Sequence, residues 1–184
     1  MKAAKEAFLP SGLDQSAAMN YAAELKRLIL LRPALTLAVA ESLTAGHLQA
    51  QVASVSGASD FFLGGVTAYS LDEKVKLLDV NRAHAKSVDC VSQRVAVEMA
   101  FGVTKLFGAK LGVATTGYAE PSRAKGIKDP MAWWAICQQL KNGKLRLHSG
   151  TVETPGASRV EAQERIATDV LGLLVAFLSS TREK

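Results

Sequence analysis

Ala38-Val39-Ala40-Glu41-Ser42-Leu43-Thr44-Ala45-Gly46 decides how this 184-residue chain is read. An apolar run from Leu35 reaches Ala40 and stops at Glu41, Ser42 and Thr44, with Gly46 close behind. A buried strand that ends in a polar turn feeding a helix has this pattern. In open α/β sheets, ligands sit in the crevice beyond the carboxyl ends of the strands. A helix starting there aims free backbone N–H groups at whatever is bound. Ser42 and Thr44 are therefore placed for a nucleophile or an anion contact.

The next stretch supplies partners. Phe61 to Ala68 is apolar and glycine-punctuated, and it leads into Tyr69-Ser70. Ser70-x-x-Glu73 reads as a capping box, with Ser70 the N-cap of a helix ending near Leu78. Tyr69 is then N′ and Lys74 N4, positions that touch in a hydrophobic staple, so the two side chains are expected side by side. If the two strands are neighbours, Ser42, Tyr69 and Lys74 converge on one crevice. Serine is a poor nucleophile until a base takes its proton, and a desolvated lysine can be that base. A tyrosine hydroxyl can relay the proton or donate to developing charge. The same spacing also fits a capped helix with an exposed lysine, a packed tyrosine and a turn serine. The residues alone leave both readings open.

Outward from this core, helical and extended patterns alternate. Ser16 to Leu31 has the period of a helix, capped by Asp14 or Ser16 and ended by Arg32-Pro33. Leu35 to Ala40 is the first core strand, Gly46 to Ser54 the helix behind the Ser42 turn, and His47 a solvent-facing or packing residue on it. Asn81 to Asp89 reads as polar linker. Ser92 to Phe107 is an amphipathic helix with Val95, Met99, Val103 and Leu106 in one stripe and Gly108 at its end. Ser92 fits its N-cap, with contact to a ligand phosphate as the alternative. Leu111 to Thr115 is a third strand, and Thr116-Gly117 beyond it is either a plain turn or site lining. Ala132–Gln138 and Leu145–Glu153 form a hairpin through Asn142-Gly143. The indoles of Trp133 and Trp134 face opposite ways, so at most one reaches a site. Ser158 caps a last helix to about Leu178 with Val160, Ile166, Val170, Leu173 and Leu174 on its apolar face, and Thr181 to Lys184 is expected to fray. Alternating strands and helices predict a single three-layer α/β/α domain with a mixed sheet over residues 15–182, behind a flexible lead-in at 1–14.

Composition narrows the function classes. Lys and Arg total 22 against 17 Asp and Glu, a formal charge of +5. The excess is scattered, without the aromatic-basic platform of a nucleic-acid binder, and it suits an anionic small molecule. Cys90 and Cys137 stand far apart and read as two buried thiols of a reducing cytoplasm. His47, His84 and His148 lack ligand-type spacing, so no metal is expected. The apolar run from Leu28 is cut by Arg32-Pro33, too short for a membrane span. A cytoplasmic protein needing neither nucleic acid nor membrane is expected.

Ala40-Glu41-Ser42-Leu43-Thr44-Ala45-Gly46 resembles the A-E-S-C-T-G-G signature of the competence/damage-inducible CinA C-terminal family. Phe62 to Ser70 followed by Lys74 is similar to that family's F-x-G-G-x-x-A-Y-S-x-x-x-K. Val75–Val80, Asp89-Cys90-Val91-Ser92 (against G-A-V-S) and Thr116-Gly117-Tyr118-Ala119-Glu120-Pro121 (against T-G-x-A-x-P) follow in order. The best-known activity of the family is nicotinamide mononucleotide amidohydrolase, and its members are commonly oligomeric. The resemblance implies the same α/β/α architecture, Ser42 as nucleophile, Lys74 as its base and Tyr69 as assisting hydroxyl. It implies substrate contacts from Thr44, Gly46, Thr116, Gly117 and Arg159, no organic cofactor, an anionic substrate such as a nucleotide, and a homo-oligomer. One element departs. The family's glycine-rich loop, resembling G-P-G-G-G-T-P-E-K-P-V-G-T-V, corresponds here to Glu120–Trp134, where most glycines are gone and Trp133 replaces a small threonine. Glycine lets a backbone approach its ligand closely, so the loop departs from the family's nucleotide cradle, and the alternative reading is a substrate-shifted or non-catalytic paralogue acting as a small-molecule binding or assembly module.

Overall fold

A computed structural model describes residues 15–182. The lead-in expected over residues 1–14, the Asp14 cap and the last two residues lie outside them. The elements run α1 (Gln15–Ile29), β1 (Leu37–Glu41), α2 (His47–Ala53), β2 (Phe62–Thr67), α3 (Leu71–Leu78), α4 (Arg82–Ser87) and α5 (Gln93–Phe107). They continue as β3 (Leu111–Tyr118), β4 (Met131–Gln139), β5 (Leu145–Glu153) and α6 (Arg159–Arg182). The sheet order is β2-β1-β3-β4-β5, with β1 parallel to both neighbours and β4 and β5 antiparallel. The sheet is mixed, as expected.

Alternation along each strand divides the core in two. Leu37, Val39, Leu111, Val113, Trp134 and Ile136 face a cluster built with α1, α2 and α6. Ala38, Ala40, Ala114, Ala135 and Cys137 face a second cluster built with α3, α4 and α5. The second face is lined by small residues, and α5 lies close against it. A Cβ on Gly112 would stand 2.1 Å from the Ala100 carbonyl oxygen. The result is a three-layer α/β/α fold.

The connections place a crevice. From β1 the chain passes through α2, on one face, to β2 on one side of β1. From β2 it passes through α3, α4 and α5, on the other face, to β3 on the opposite side of β1. The strand order thus reverses at β1, and such a switch point opens a crevice at the carboxyl ends of the strands.

Several local expectations are corrected. Asn81–Asp89 is not linker: Asn81 Oδ1 accepts the His84 N–H at 2.9 Å and caps α4. β3 continues past Thr115 to Tyr118 because β4 pairs with it along that whole length. The helix α1 begins at Gln15, so Ser16 lies inside it. Leu106 and Val160 are exposed, off the buried stripes of their helices. The last helix does not fray at Thr181: it runs to Arg182, whose guanidinium donates to the Pro33 carbonyl at 2.7 Å and to that of Leu31. Cys137 is buried, whereas Cys90 is only half-buried.

Candidate active site

A cleft of about 480 Å³ opens at the switch point, lined by Ser42, Tyr69, Lys74, Thr116, Gly117 and Arg159 among others. Ser42 follows β1 directly, and its N–H donates to the Thr115 carbonyl at 3.0 Å, which extends the β1–β3 pairing by one step. Its position is fixed further by the residue before it. Glu41 is fully buried, and its carboxylate accepts the N–H groups of Gly46 (3.0 Å), Leu48 (3.1 Å) and Gln49 (2.9 Å). The start of α2 is therefore capped from within the chain. Its N–H groups do not serve a ligand.

That arrangement corrects two expected substrate contacts. Gly46 adopts φ 103 at the N-cap of α2, bonds Glu41, and does not line the cleft. Thr44 is fully buried, with its hydroxyl 2.7 Å from that of Thr115, so it ties the Ser42 turn to β3 instead of meeting a ligand. Between them, the Leu43 and Thr44 N–H groups make no hydrogen bond among the described residues.

Lys74 comes from α3. Ser70 caps that helix by accepting the Glu73 N–H at 3.2 Å, which is the expected half of the capping box. Lys74 is 1% exposed, and its Nζ lies 2.9 Å from Ser42 Oγ, 2.8 Å from the Ala68 carbonyl and 2.9 Å from the Tyr69 carbonyl. Burial pushes its pKa below the ordinary lysine value, and the neighbouring Cys90 and Asp89 side chains offset only part of that. The three partners constrain the proton. A carbonyl oxygen only accepts, so both carbonyls must receive N–H bonds from Nζ. A neutral amine has two N–H bonds and one lone pair. The lone pair is then left facing Ser42, the one partner able to donate.

Tyr69 is placed differently from the expectation. Its backbone carbonyl holds Lys74, but its side chain is 53% exposed, and its hydroxyl accepts from Arg159 Nη2 at 2.8 Å. The staple does not form, because an exposed ring at N′ cannot pack on a lysine that is turned inward. Arg159 also donates to Glu120 at 2.9 Å, so Tyr69, Arg159 and Glu120 make one rim of the cleft. Thr116 lines the wall with its hydroxyl donated to the Cys90 carbonyl at 2.7 Å. Gly117 lines it too, and a Cβ there would stand 2.0 Å from the Met131 carbonyl oxygen. Trp133 packs against the α5 side of the core and is not part of the cleft, while Trp134 is buried on the other face. Ser92 caps α5 by accepting the Val95 N–H at 3.2 Å and meets His84 Nε2 at 3.0 Å.

The cleft also holds residues not singled out from the sequence. Asp89 and Cys90 are consecutive non-glycine residues in the left-handed region, φ 51 and 61. Such backbone persists where its surroundings over-determine it. Here the Cys90 N–H donates to Ala85 at 2.7 Å and the Cys90 carbonyl accepts from Thr116. Tyr118 donates to Asp89 at 3.0 Å, and Lys125 forms an ion pair with the same carboxylate. The Asp89-Cys90-Val91-Ser92 block and the altered loop are the sequence signals that could have found them. Among the described residues no cluster of His, Cys, Asp and Glu side chains could hold a metal ion. No helix among them is long and apolar enough to cross a membrane.

Comparison with known proteins agrees with this fold. The family model of the CinA C-terminal domain matches residues 19–178. A CinA-like protein of Chlorobium limicola is 37% identical over 145 residues, covering 78% of this chain and 33% of that protein. A CinA-like protein of Picosynechococcus is 49% identical over 93 residues, covering 50% of this chain and 22% of the relative. The chain thus spans a third or less of the length of these curated relatives. The fold is similar to that of a CinA superfamily protein from Klebsiella pneumoniae, with TM-score 0.77 at 22% identity over 89% of this chain and 98% of that one. An Escherichia coli superfamily protein gives TM-score 0.75 at 24% identity over 90% of this chain and 94% of that one. At that identity the structural likeness concerns the fold.

Proposed function

The chain belongs to the CinA C-terminal domain family, and from that premise we propose that it is an amidohydrolase acting on nicotinamide mononucleotide or a related primary amide. The observation that carries the reading is the buried contact of 2.9 Å between Lys74 Nζ and Ser42 Oγ, with both remaining Nζ partners being carbonyls. Neutral Lys74 takes the Ser42 proton as Oγ attacks the carboxamide carbon. The free N–H group of Leu43, which lines the cleft beside Ser42, stabilises the oxyanion that develops. The Lys74 ammonium then returns its proton to the leaving nitrogen, the C–N bond breaks, and ammonia departs from a Ser42 ester. Water, deprotonated by Lys74, attacks that ester, releases the carboxylic acid and restores Ser42. The cycle consumes one amide and one water and yields one acid and one ammonia.

Tyr69 has a supporting part in this scheme. Its carbonyl orients Lys74, and its hydroxyl and Arg159 provide polar and cationic contacts at the mouth for an anionic substrate group. One observation favours a shifted substrate within the same chemistry: Glu120 and Ser122 of the rebuilt loop line the cleft with side chains where the family pattern has glycines, and Lys125 of the same loop joins them.

The test is ammonia release from nicotinamide mononucleotide by the wild type and Ser42→Ala. Release by the wild type that disappears in the variant supports both reaction and nucleophile. Release that persists in the variant overturns Ser42 as nucleophile. No release by either, alongside release from other amides by the wild type, moves the reading to the shifted substrate.

A further inference from the structure

Asp89, Tyr118 and Lys125 line the cleft and take no part in the hydrolytic scheme. Asp89 Oδ2 accepts from the Tyr118 hydroxyl at 3.0 Å and from the Lys125 ammonium. The same ammonium lies over the Tyr118 ring, 5.2 Å from its centroid. A carboxylate beside an aromatic face attracts organic cations, and a ring within about 6 Å of the charge contributes through its quadrupole. The chain's own lysine therefore marks a place that suits a positive charge.

The two sides of this contact differ in how firmly they are held. Asp89 sits on backbone pinned by the Cys90–Ala85 and Thr116–Cys90 hydrogen bonds, and Tyr118 ends a strand paired with β4. Lys125 closes a short 3₁₀ turn, Arg123–Lys125, whose residues are all exposed. The ion pair keeps 48% and 54% of its side-chain surface in solvent, and an exposed pair of this kind opens at little cost. Asp89 Oδ1 has no partner among the described residues. Both members of the pair are also departures from the family pattern. Asp89 stands where the G-A-V-S element begins with glycine, and Lys125 lies in the loop that has lost its glycines.

We propose that Asp89 and Tyr118 form a subsite for a fixed positive charge on the amide substrate, occupied by the Lys125 ammonium until a cationic ligand displaces it. The ligand class is an amide carried by a delocalised cation such as a pyridinium ring, whose flat face suits Tyr118 and whose charge faces Asp89. The inference rests on the amidohydrolase reading for the amide and on the cleft geometry for the charge.

The experiment is calorimetric titration with 1-methylnicotinamide and nicotinamide, two carboxamides on the same ring that differ in a methyl group and a fixed charge. The wild type, Lys125→Ala and Asp89→Asn are compared by the ratio of the two affinities, which cancels any general effect on the cleft. The expected result is preference for the cation in the wild type, an increase of about fivefold in Lys125→Ala where the competing ammonium is gone, and loss of preference in Asp89→Asn. An unchanged ratio across the three proteins, or no binding of the cation by Lys125→Ala, overturns the proposal. Binding needs no turnover, so the outcomes separate. Charge preference without ammonia release keeps the subsite and removes the hydrolytic reading, and hydrolysis with an unchanged ratio does the reverse.

Discussion

Replacing Glu41 by glutamine removes half of an acceptor pair on which the Ser42 turn is built. The side chain is fully buried, with Oε2 accepting from Gly46 and Leu48 and Oε1 from Gln49. Glutamine has the same shape and a single acceptor oxygen. If that oxygen keeps the Gly46 and Leu48 bonds, its NH₂ group meets the Gln49 N–H donor to donor. One charge-assisted bond is lost, about 1.5–3 kcal/mol. The negative charge that complements the start of α2 goes with it, about 0.3–1 kcal/mol more. The expected loss of stability is roughly 2–4 kcal/mol. For a chain of this size each kcal/mol moves Tm by about 2–4 °C, so Tm should fall by roughly 4–16 °C. Urea unfolding of Glu41→Gln and wild type, followed by circular dichroism and tryptophan fluorescence, measures the difference. A loss below about 0.5 kcal/mol, the size of an indifferent surface change, would refute the reasoning that Glu41 holds the turn.

Three further outcomes are expected. Lys74 works as a base only when neutral, so kcat/KM should fall as pH drops through its depressed pKa, and Lys74→Arg, always protonated, should lose activity throughout; a pH–rate profile of both proteins checks this. Burial pushes the Asp169 carboxyl up to about 6, against the attraction of Arg165. Its folded pKa lies above its unfolded value, so it favours folding at low pH, and that contribution is lost as pH rises from about 4 to 6. Asp169→Asn should therefore raise Tm relative to wild type at pH 7.5 and lose that advantage at pH 4. Gly117→Ala places a Cβ 2.0 Å from the Met131 carbonyl, backbone that cannot swing aside, and should cost about 3 kcal/mol or more in urea unfolding.

Much of the fold was legible because its signals are local. The apolar run into Glu41-Ser42, the Ser70 and Ser92 caps and the Asn142-Gly143 turn each fix an element without reference to distant residues. The α4 helix was not legible, because six residues give no measurable period, although Asn81 was its cap. Ser42 and Lys74 were brought together by adjacency of β1 and β2, which the paired signals anticipated. Thr44 and Gly46 were assigned to a ligand by proximity in sequence. Their partners, Thr115 and the Glu41 carboxylate, are set by packing. Tyr69 shows the same limit: its position N-terminal to the helix fixed its carbonyl on Lys74, but Arg159, 90 residues away, decided where its hydroxyl went. Asp89, in the β2–β3 crossover, and Lys125, in the β3–β4 loop, meet across 36 residues, a pairing that no local pattern encodes.

The central claim is that Lys74 is a depressed, reversibly neutral amine facing Ser42. NMR titration of isotopically labelled lysine side chains, with Lys74 assigned by its absence from Lys74→Met, measures that directly. The account predicts one resonance titrating clearly below the ordinary lysine value of about 10.4 and missing from the Lys74→Met spectrum. A Lys74 resonance that titrates with the surface lysines would contradict it.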